Sequence, residues 1–394
     1  MERLNALEWR TALSLASVVG LRMFGLFLLL PVFALAARDL PGATPLLIGL
    51  ALGVYGIGQA LCQVPLGWLS DRIGRKPAIT LGLLAFALGS VVAAQADSIH
   101  GIILGRALQG AGAVAGAGLA LAADLTRPDQ RGKVMGLIGV SIGGAFLLAL
   151  VLGPPLFALG GLAGLFGLMT GLALGSLFLL WTVVPPAPRL QAAPGPRGAL
   201  RLVLADPALR AMQIAVFVLH AALTASFVGL PLLLLDDIGL AVGEHWKLYL
   251  PVLLASALAM GALLSRGGAR APLRLILAVV PVLGAALALF ALAGRDLWLL
   301  GAVAFVFFTA FNLLEASLPT LTSRLAPAEL RGTALGAYST AQFLGAFAGG
   351  VLGGWALGEF GRDGMFVLMA LVVLASWPLL ARLNGPAAAV EEGA

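Results

Sequence analysis

The chain has 394 residues, of which 60% are hydrophobic and 11% are charged, and its mean hydropathy is +1.03. A water-soluble globular protein of this length does not bury so much apolar surface, so the composition excludes that class and predicts a membrane protein. The net charge of +6 does not indicate a nucleic-acid-binding protein, because the basic residues follow the loops between apolar segments and form no stripe with exposed aromatic residues.

Twelve apolar segments along the chain are each long enough to cross a bilayer. Because the runs are continuous rather than alternating, they predict helices and not the strands of a barrel. The fold class is therefore predicted to be an all-α membrane protein with twelve transmembrane helices. In chain order the predicted spans are 11–37, 45–69, 77–95, 99–124, 132–157, 162–184, 208–235, 246–265, 272–293, 297–323, 331–357 and 364–383.

Lysine and arginine residues divide unevenly between the two sides that these spans define. Eighteen of the 24 lie on the side of the N-terminus, four lie on the opposite side, and Arg22 and Arg106 lie within spans. Cytoplasmic loops carry an excess of Lys and Arg. We therefore expect a multi-pass protein of a bacterial-type inner membrane with both termini in the cytoplasm.

The longest connection between spans, residues 185–207, is rich in Pro, Ala and Arg and separates two sets of six spans. The two sets match at an offset of 200, where Arg131 and Gly132 recur as Arg331 and Gly332 and four further residues recur likewise. Parallel six-helix repeats are a transporter architecture. The expected domains are an N-terminal six-helix bundle at 1–184, a cytoplasmic linker at 185–207 and a C-terminal six-helix bundle at 208–394.

The stretch GWLSDRIGRKP, residues 67–77, concentrates four charges between the second and third spans. Asp71 is the unusual residue, because an acidic side chain gains nothing from the rule that places basic residues in the cytoplasm. Asp71 and Arg75 are four residues apart and share one helical face, and Asp124 is a second expected partner of Arg75. We expect a conformational latch between the halves that is made in one transport state and broken in the other. Its expected members are Gly67, Asp71, Arg72, Gly74, Arg75, Asp124 and Arg331.

This stretch resembles the pattern G-x-L-x-D-R-x-G-R-K/R, which lies between the second and third helices of the major facilitator superfamily. LGRALQGAG at 104–112 resembles the fourth-helix pattern of that superfamily. Gly153-Pro154 resembles the fifth-helix pattern of its drug:proton antiporters, although Ala149 stands where that pattern has glycine. From about residue 10 to 383 the chain is similar to YajR-type members, which carry a soluble C-terminal domain that we do not expect here. The resemblance implies a transporter of small solutes.

Charged and polar side chains are costly inside a membrane and need a reason to be there. Glu315, deep in the tenth span, is expected to carry a transported proton; the alternative is a structural carboxyl that pairs with Asn312. The resemblance matches Arg106 to an arginine proposed to act in proton transfer. Arg22 is expected either to face the cavity or to extend its charge to the interface. His220 is expected either to join the site or to pack.

These residues favour a secondary active transporter that works by alternating access and exports a small, partly hydrophobic solute against proton entry. The alternative is a proton-independent facilitator or exporter of a sugar or metabolite. An enzyme is disfavoured because no H-E-x-x-H pattern occurs, and ATP-driven transport because G-x-x-x-x-G-K-[ST] is missing. The expected partners are a small-molecule substrate, protons and the lipid bilayer. We expect a monomer that uses no nucleic acid, cofactor or metal.

Overall fold

The computed structural model describes residues 4–186, 198–266, 273–294, 296–327 and 329–391. In this part of the chain the regular structure is helical. A short 3₁₀ turn spans Val242–Glu244. The helices are α1 Ala6–Phe27, α2 Phe33–Ala36, α3 Pro45–Ile73, α4 Arg75–Ala94, α5 Ile99–Ala111, α6 Ala115–Asp124, α7 Arg131–Thr182, α8 Ala199–Ala205, α9 Pro207–Asp236, α10 Trp246–Arg266, α11 Leu273–Leu292, α12 Leu297–Leu325 and α13 Arg331–Glu391.

Nine helical stretches in the described residues are long and apolar enough to cross a membrane. Two of them, α7 and α13, each contain one glycine with a left-handed φ, Gly161 at 60° and Gly361 at 69°. Because only glycine adopts this conformation readily, each long helix is two spans joined at a kink. The shorter apolar segment Ile276–Leu292 in α11 completes the set of twelve predicted spans.

The two long helices also correspond at the offset of the sequence repeat. Helix α7 begins at Arg131 and α13 begins at Arg331, and their kinks at Gly161 and Gly361 keep the same separation. The internal repeat, which six matching residues indicate in the sequence, is therefore also visible in the backbone: the two helices start and kink at equivalent positions.

Two of the predicted spans are not continuous helices. The span predicted at 11–37 is regular only to Phe27 and continues as turns to the short α2, since Pro31 has no N–H for a helical hydrogen bond. The span predicted at 99–124 is broken after Ala111, where Gly112 leaves the helical conformation. A break inside a span frees backbone groups, which then need partners other than the helix itself.

The predicted linker also contains regular structure. Helix α8 lies within it and packs Val203 against Leu209, Ala326 and Ala334. The Asp206 side chain begins α9 by accepting the Leu209 N–H at 2.9 Å, the usual role of an aspartate at a helix start. Residues 187–197 of the linker lie outside the described residues.

Two compact units make up the fold. Unit 1 comprises Met1–Ala43, Ile57–Ala193 and Val242–Trp246, and unit 2 comprises Thr44–Gly56, Pro194–Ala241 and Lys247–Ala394. In unit 1, α1 packs along α7, and α4 packs against α5 and α7. In unit 2, α9 packs along α13, and α11 packs against α12 and α13. The division at 184 and 208 that the sequence suggests stays a prediction.

Helix α9 is largely buried in the protein, with 89% of its most apolar stretch of 18 residues inside. A Cβ added at Gly345 of α13 would lie 2.1 Å from the Phe217 carbonyl oxygen, and one at Gly349 would lie 2.1 Å from that of Ala221. Only glycine permits so close an approach of two backbones. This packing brings His220, which lies between Phe217 and Ala221 on α9, next to α13.

Candidate functional site

Arg75 is the centre of a charged cluster at the junction of α3 and α4. Its Nε donates to Asp124 Oδ2 at 3.0 Å, and its Nη1 donates to Ser70 Oγ at 2.6 Å and to Asp71 Oδ1. The side chain of Asp124 is 17% exposed and that of Asp71 is 40% exposed. We call Ser70, Asp71, Arg75 and Asp124 the Asp71 cluster. Both expected partners of Arg75 are thus in contact with it.

The other basic residues of the loop have partners of their own. The Arg72 guanidinium lies over the Trp68 ring, 3.6 Å from its centroid. Lys76 Nζ donates to the Val184 carbonyl at 2.6 Å, just beyond the C-terminus of α7, and Arg10 Nε donates to the neighbouring Val183 carbonyl at 2.8 Å. Cations are favourable at a helix C-terminus, where carbonyl groups lack helical partners. The loop therefore also holds the end of α7.

The two loop glycines differ from each other. Gly74 has a φ of 99°, a conformation that other residues rarely adopt, and it separates α3 from α4. A Cβ at Gly67 would meet no atom within 4 Å. No close backbone contact in this structure therefore requires glycine at position 67, and the place of Gly67 in the latch stays a prediction.

Arg331 stabilises a helix end in unit 2. Its Nε donates to the Ser323 carbonyl at 3.0 Å, in the last turn of α12. Arg131 in unit 1 makes the repeat-related contact, with its Nε 3.2 Å from the Ala123 carbonyl in the last turn of α6. The recurrence of Arg-Gly at 131 and 331 is the sequence signal for this shared contact with a helix end.

A second ion pair in unit 1 was not predicted. The Glu8 side chain is 2% exposed and accepts from Arg127 Nε at 2.8 Å and from Arg127 Nη2 at 3.1 Å. Glu8 also forms a capping box with Asn5 at the start of α1. The pattern N-A-L-E at residues 5–8 is the sequence signal of such a box.

Arg22 is 1% exposed and lies inside unit 1. Its Nη2 donates to the Gly112 carbonyl at 2.7 Å, at the break between α5 and α6, and its guanidinium lies 5.5 Å from the centroid of the Phe86 ring. The alternative of a side chain that extends to the membrane interface is therefore wrong for this structure. The guanidinium instead binds a backbone carbonyl at the C-terminal end of a half-helix, where a cation is favourable.

Arg106 is 3% exposed and donates through Nη1 to Gln109 Oε1 at 2.8 Å. The Gln109 amide in turn donates to Ser90 Oγ at 2.7 Å and contacts Met169 Sδ at 3.5 Å. Gln109 is fully buried. The structure identifies Gln109 as a partner of Arg106.

Glu315 and His220 meet in unit 2. His220 Nε2 lies 3.6 Å from Glu315 Oε2, and Gln342 Nε2 lies 2.8 Å from His220 Nε2 and 3.2 Å from Glu315 Oε1. His220 also packs edge to face against Phe311, with ring centroids 5.9 Å apart. We call His220, Glu315 and Gln342 the Glu315 cluster. Three separate spans, α9, α12 and α13, supply one side chain each.

Asn312 does not pair with Glu315. Its Nδ2 donates to Ser256 Oγ at 3.0 Å, which joins α12 to α10. The predicted alternative of a Glu315–Asn312 pair is therefore wrong.

Tyr338, one turn before Gln342 on α13, is 4% exposed and interacts electrostatically with Glu315. Its hydroxyl has no hydrogen-bond partner among the described residues.

One enzyme-like pattern has no enzyme-like setting. G139-V-S-I-G143 matches the G-x-S-x-G pattern of hydrolases, which requires a turn between a strand and a helix. Here it lies within α7, and Ser141 Oγ donates to the Ile138 carbonyl at 2.7 Å.

Comparison with known proteins identifies the family. Residues 15–350 match the family described as Major Facilitator Superfamily. The chain is 43% identical over 375 residues to the inner membrane transport protein YajR of Escherichia coli, a match that covers 94% of this chain and 82% of that protein. It is 33% identical over 353 residues to an uncharacterized transporter of Buchnera aphidicola, covering 88% of this chain and 90% of the other.

The fold is shared with a solved structure of a bacterial homologue of the human lysosomal transporter Spinster, in its inward-facing and occupied conformation. The TM-score is 0.77 at 14% identity, over 97% of this chain and 98% of the other. These relatives are transporters and not enzymes. The chain therefore belongs to the major facilitator superfamily, and its fold comprises twelve transmembrane helices in two six-helix bundles.

Proposed function

We propose that the protein is a secondary active transporter that works by alternating access and couples export of a small, partly hydrophobic solute to proton entry. The observation that supports this most is the Glu315 cluster. It places two groups that take up protons, a carboxylate and an imidazole, 3.6 Å apart inside membrane-spanning helices.

The cluster has the composition that a proton carrier requires. In the described part of the chain, no Arg or Lys forms an ion pair with Glu315; its partners are an amide and an imidazole. A charge inside the hydrocarbon costs about 2.5–3.5 kcal/mol on insertion scales. Because no fixed cation pairs with Glu315 in this part of the chain, we propose that this carboxyl binds and releases the transported proton. To couple transport to a proton gradient, a transporter needs a group, such as a carboxyl, that binds and releases a proton during the transport cycle.

The two buried arginines of unit 1 have a different proposed role. An arginine stays protonated at every physiological pH, so neither Arg22 nor Arg106 carries the proton itself. Arg106 is held by Gln109 and Arg22 by the Gly112 carbonyl. We assign both to the electrostatics of the substrate path, with Asn312 as a further polar residue of that path.

The available driving force is sufficient for export. One charge that crosses about 100 mV releases about 2.3 kcal/mol. At about 1.4 kcal/mol per tenfold concentration ratio, this sustains a solute gradient of roughly fifty-fold. The class of solute follows from the spans, which are rich in Leu, Ala, Gly, Val and Phe and so favour a lipophilic compound over a polyol.

The Asp71 cluster, with Arg72, Gly74 and Arg331, is proposed as the latch that stabilises one transport state. The proposed molecule is a monomer with both termini in the cytoplasm. A reporter fused after Ala394 that is active only in the cytoplasm tests that orientation. Activity of a periplasm-specific reporter at the same point contradicts it.

Proteoliposomes that contain a trapped pH-sensitive dye test the coupling. The probes are a panel of lipophilic cations and neutral aromatic compounds, each added with and without an imposed pH gradient. The wild-type protein is expected to move protons when a transported compound is present. Glu315→Gln retains the shape of the side chain and is expected to abolish this movement, yet to keep exchange of the compound at equal pH. Glu359→Gln, an exposed carboxyl on α13, is the matched control and is expected to behave as wild type.

Two outcomes contradict the proposal. If Glu315→Gln moves protons and compound at the wild-type rate, Glu315 is structural. If the wild type equilibrates a sugar or metabolite with no effect of the pH gradient, the protein is a proton-independent facilitator.

A further inference from the structure

Two cations of unit 1 lie side by side where α7 ends and where α1 and α4 begin. Arg10 Nε donates to the Val183 carbonyl at 2.8 Å, and Lys76 Nζ donates to the Val184 carbonyl at 2.6 Å. Because the two carbonyls belong to consecutive residues, the cations are neighbours, and the charge of Arg10 acts on Lys76. We call Arg10 and Lys76 the basic pair.

The acidic side chains nearest to the basic pair in sequence have other cations as partners. Glu8, in the first turn of α1, is bound by Arg127, and Asp71 and Asp124 are both bound by Arg75. Within the described ranges of the chain, no carboxylate forms an ion pair with either member of the basic pair. A guanidinium has five N–H donors and an ammonium has three, so a single carbonyl does not use up the donors of either cation. The basic pair can therefore bind an anion as well.

A tryptophan marks the depth of the basic pair in the membrane. Lys76 Nζ lies 5.6 Å from the centroid of the Trp181 ring, and this side chain is exposed. Trp181 Nε1 donates to Thr80 Oγ1 at 2.9 Å, one turn beyond Lys76 on α4. Tryptophan is enriched where the membrane meets water, at the level of the lipid headgroups. The basic pair therefore lies at headgroup depth.

Two stripes of exposed apolar side chains lead away from this point. On α4 the stripe comprises Leu84 and Leu88, one and two turns after the residue that binds Trp181. On α7 it comprises Phe178 and Leu174, one and two turns before Trp181. Residues three or four apart share one face of a helix. Both stripes therefore run from the basic pair into the hydrocarbon, on two helices that pack against each other.

We propose that the basic pair and Trp181 bind an anionic glycerophospholipid, with its phosphodiester at Arg10 and Lys76 and its acyl chains along α4 and α7. A phosphate group is an anionic acceptor that suits two adjacent cations. The ammonium of a zwitterionic lipid would meet a like charge here, so we expect a preference for lipids with a net negative charge. The apolar stripes favour a lipid over a soluble phosphate. This inference does not depend on proton coupling.

The internal repeat supplies a matched control for this site. At the offset of 200, Arg210 corresponds to Arg10, but Ile276 stands in place of Lys76 and Ala381 in place of Trp181. Arg210 is exposed at the start of α9, on the same predicted side of the membrane. Arg210→Gln therefore removes the same charge from that side without affecting a basic pair.

The test is a lipid titration of the full chain, with the first bound lipid counted by native mass spectrometry. The probes are dioleoyl phosphatidylglycerol, which is anionic, and dioleoyl phosphatidylcholine, which is zwitterionic. A basic residue near an anionic membrane surface contributes about fivefold to binding, so two predict a preference of about twentyfold for phosphatidylglycerol. Arg10→Gln and Lys76→Gln are each expected to weaken its binding about fivefold and to leave that of phosphatidylcholine unchanged. Arg210→Gln is expected to retain the wild-type affinity for both lipids.

A phosphatidylglycerol with a photoreactive group on its acyl chain locates the site in the wild type. In nanodiscs we expect cross-links to residues 84–88 of α4 and 174–178 of α7. Glycerol 3-phosphate, the soluble source of a similar phosphate, is expected not to compete. Full competition assigns the basic pair to a soluble anion and overturns the lipid. A wild type without preference for the anionic lipid, an equal loss in Arg210→Gln, or cross-links confined to other helices also overturns the inference. The wild-type measurements decide the matter even where a variant fails to fold.

Discussion

The Asp71 cluster and the Glu315 cluster each hold an acidic residue, but they differ in what surrounds it. Asp71 and Asp124 share the fixed positive charge of Arg75, which lies in contact with both. Glu315 has an imidazole and an amide as neighbours. A carboxylate beside a permanent cation keeps its charge, whereas one beside a group that itself titrates can lose it. The comparison distinguishes an ion pair with a permanent cation from the proposed site of proton binding.

The two clusters also differ in how they relate to the internal repeat. At the offset of 200, the positions that correspond to His220, Glu315 and Gln342 hold Gly20, Ala115 and Ile142. None of these is polar, so unit 1 has no second Glu315 cluster. In contrast, the helix-end contacts of Arg131 and Arg331 occur in both units. The repeat therefore preserves the features that hold helix ends, while each charged cluster belongs to one unit alone.

The largest expected effect comes from making the Glu315 cluster resemble the Asp71 cluster. Gln342→Arg places a permanent cation beside Glu315, and a hydrogen bond to a charged group contributes about 1.5–3 kcal/mol. The Glu315 side chain is 39% exposed, so solvent screens part of this contribution, and the new ion pair is expected to favour the charged carboxylate by roughly tenfold. We expect proton-driven transport to fall by a similar factor in the proteoliposome assay. Gln342→Arg that retains full pH-driven transport would show that a titrating Glu315 is not required.

The second-largest expected effect is the loss of stability when the cation is removed from the Asp71 cluster. Arg75→Met leaves two carboxylates near each other without the guanidinium that both contact. The loss of a partly buried, charge-assisted set of hydrogen bonds is expected to reduce the free energy of unfolding by about 1–3 kcal/mol. The midpoint of thermal unfolding in detergent measures this.

Arg72→Met is the matched control for Arg75→Met. The Arg72 side chain is exposed and stacks on Trp68, so its loss is expected to cost about 0.5–1 kcal/mol. If the two variants destabilise the protein equally, the contacts of Arg75 with Asp71 and Asp124 contribute no more to stability than the stacking of Arg72 on Trp68.

Much of this comparison was predictable from the sequence, for physical reasons. The spans follow from apolar length, and the Asp71–Arg75 pair follows from a spacing of four on a helix. The pairing of Arg75 with Asp124 follows from topology, which puts the end of the fourth span on the same side as the loop. These signals are local or depend only on which side of the membrane a residue lies.

The remaining features depend on packing in three dimensions. Gln342 was one of several glutamines inside spans, and nothing in its local sequence marks it as the neighbour of His220, 122 residues earlier. Asn312 is close to Glu315 in sequence, yet its amide binds Ser256 on another helix. The break at Gly112 lies in a run of small apolar residues whose sequence predicts a continuous helix. The Gly112 carbonyl accepts from Arg22, which is 90 residues away in the chain.

A smaller effect tests the feature that both units share. Arg131→Gln and Arg331→Gln each remove a cation that binds a carbonyl in the last turn of the preceding helix. Such contacts contribute about 0.3–1 kcal/mol. The two variants are expected to lower the thermal midpoint by similar, small amounts and to act additively, because the contacts lie in separate units. A large loss for Arg331→Gln alone shows that Arg331 has a further role that Arg131 lacks, as the proposed latch requires.

The smallest expected effect on stability is that of Asp71→Asn. The Asp71 side chain is 40% exposed, so solvent screens its pairing with Arg75, and exposed pairs contribute about 0.2–1 kcal/mol. Arg75 also keeps its contacts with Asp124 and Ser70 in this variant. Asp124→Asn, at 17% exposure, is expected to destabilise the protein more. If Asp71 acts in the latch, Asp71→Asn changes the transport rate while the thermal midpoint stays near that of the wild type. A change in the midpoint without a change in transport assigns Asp71 to the stability of unit 1 alone.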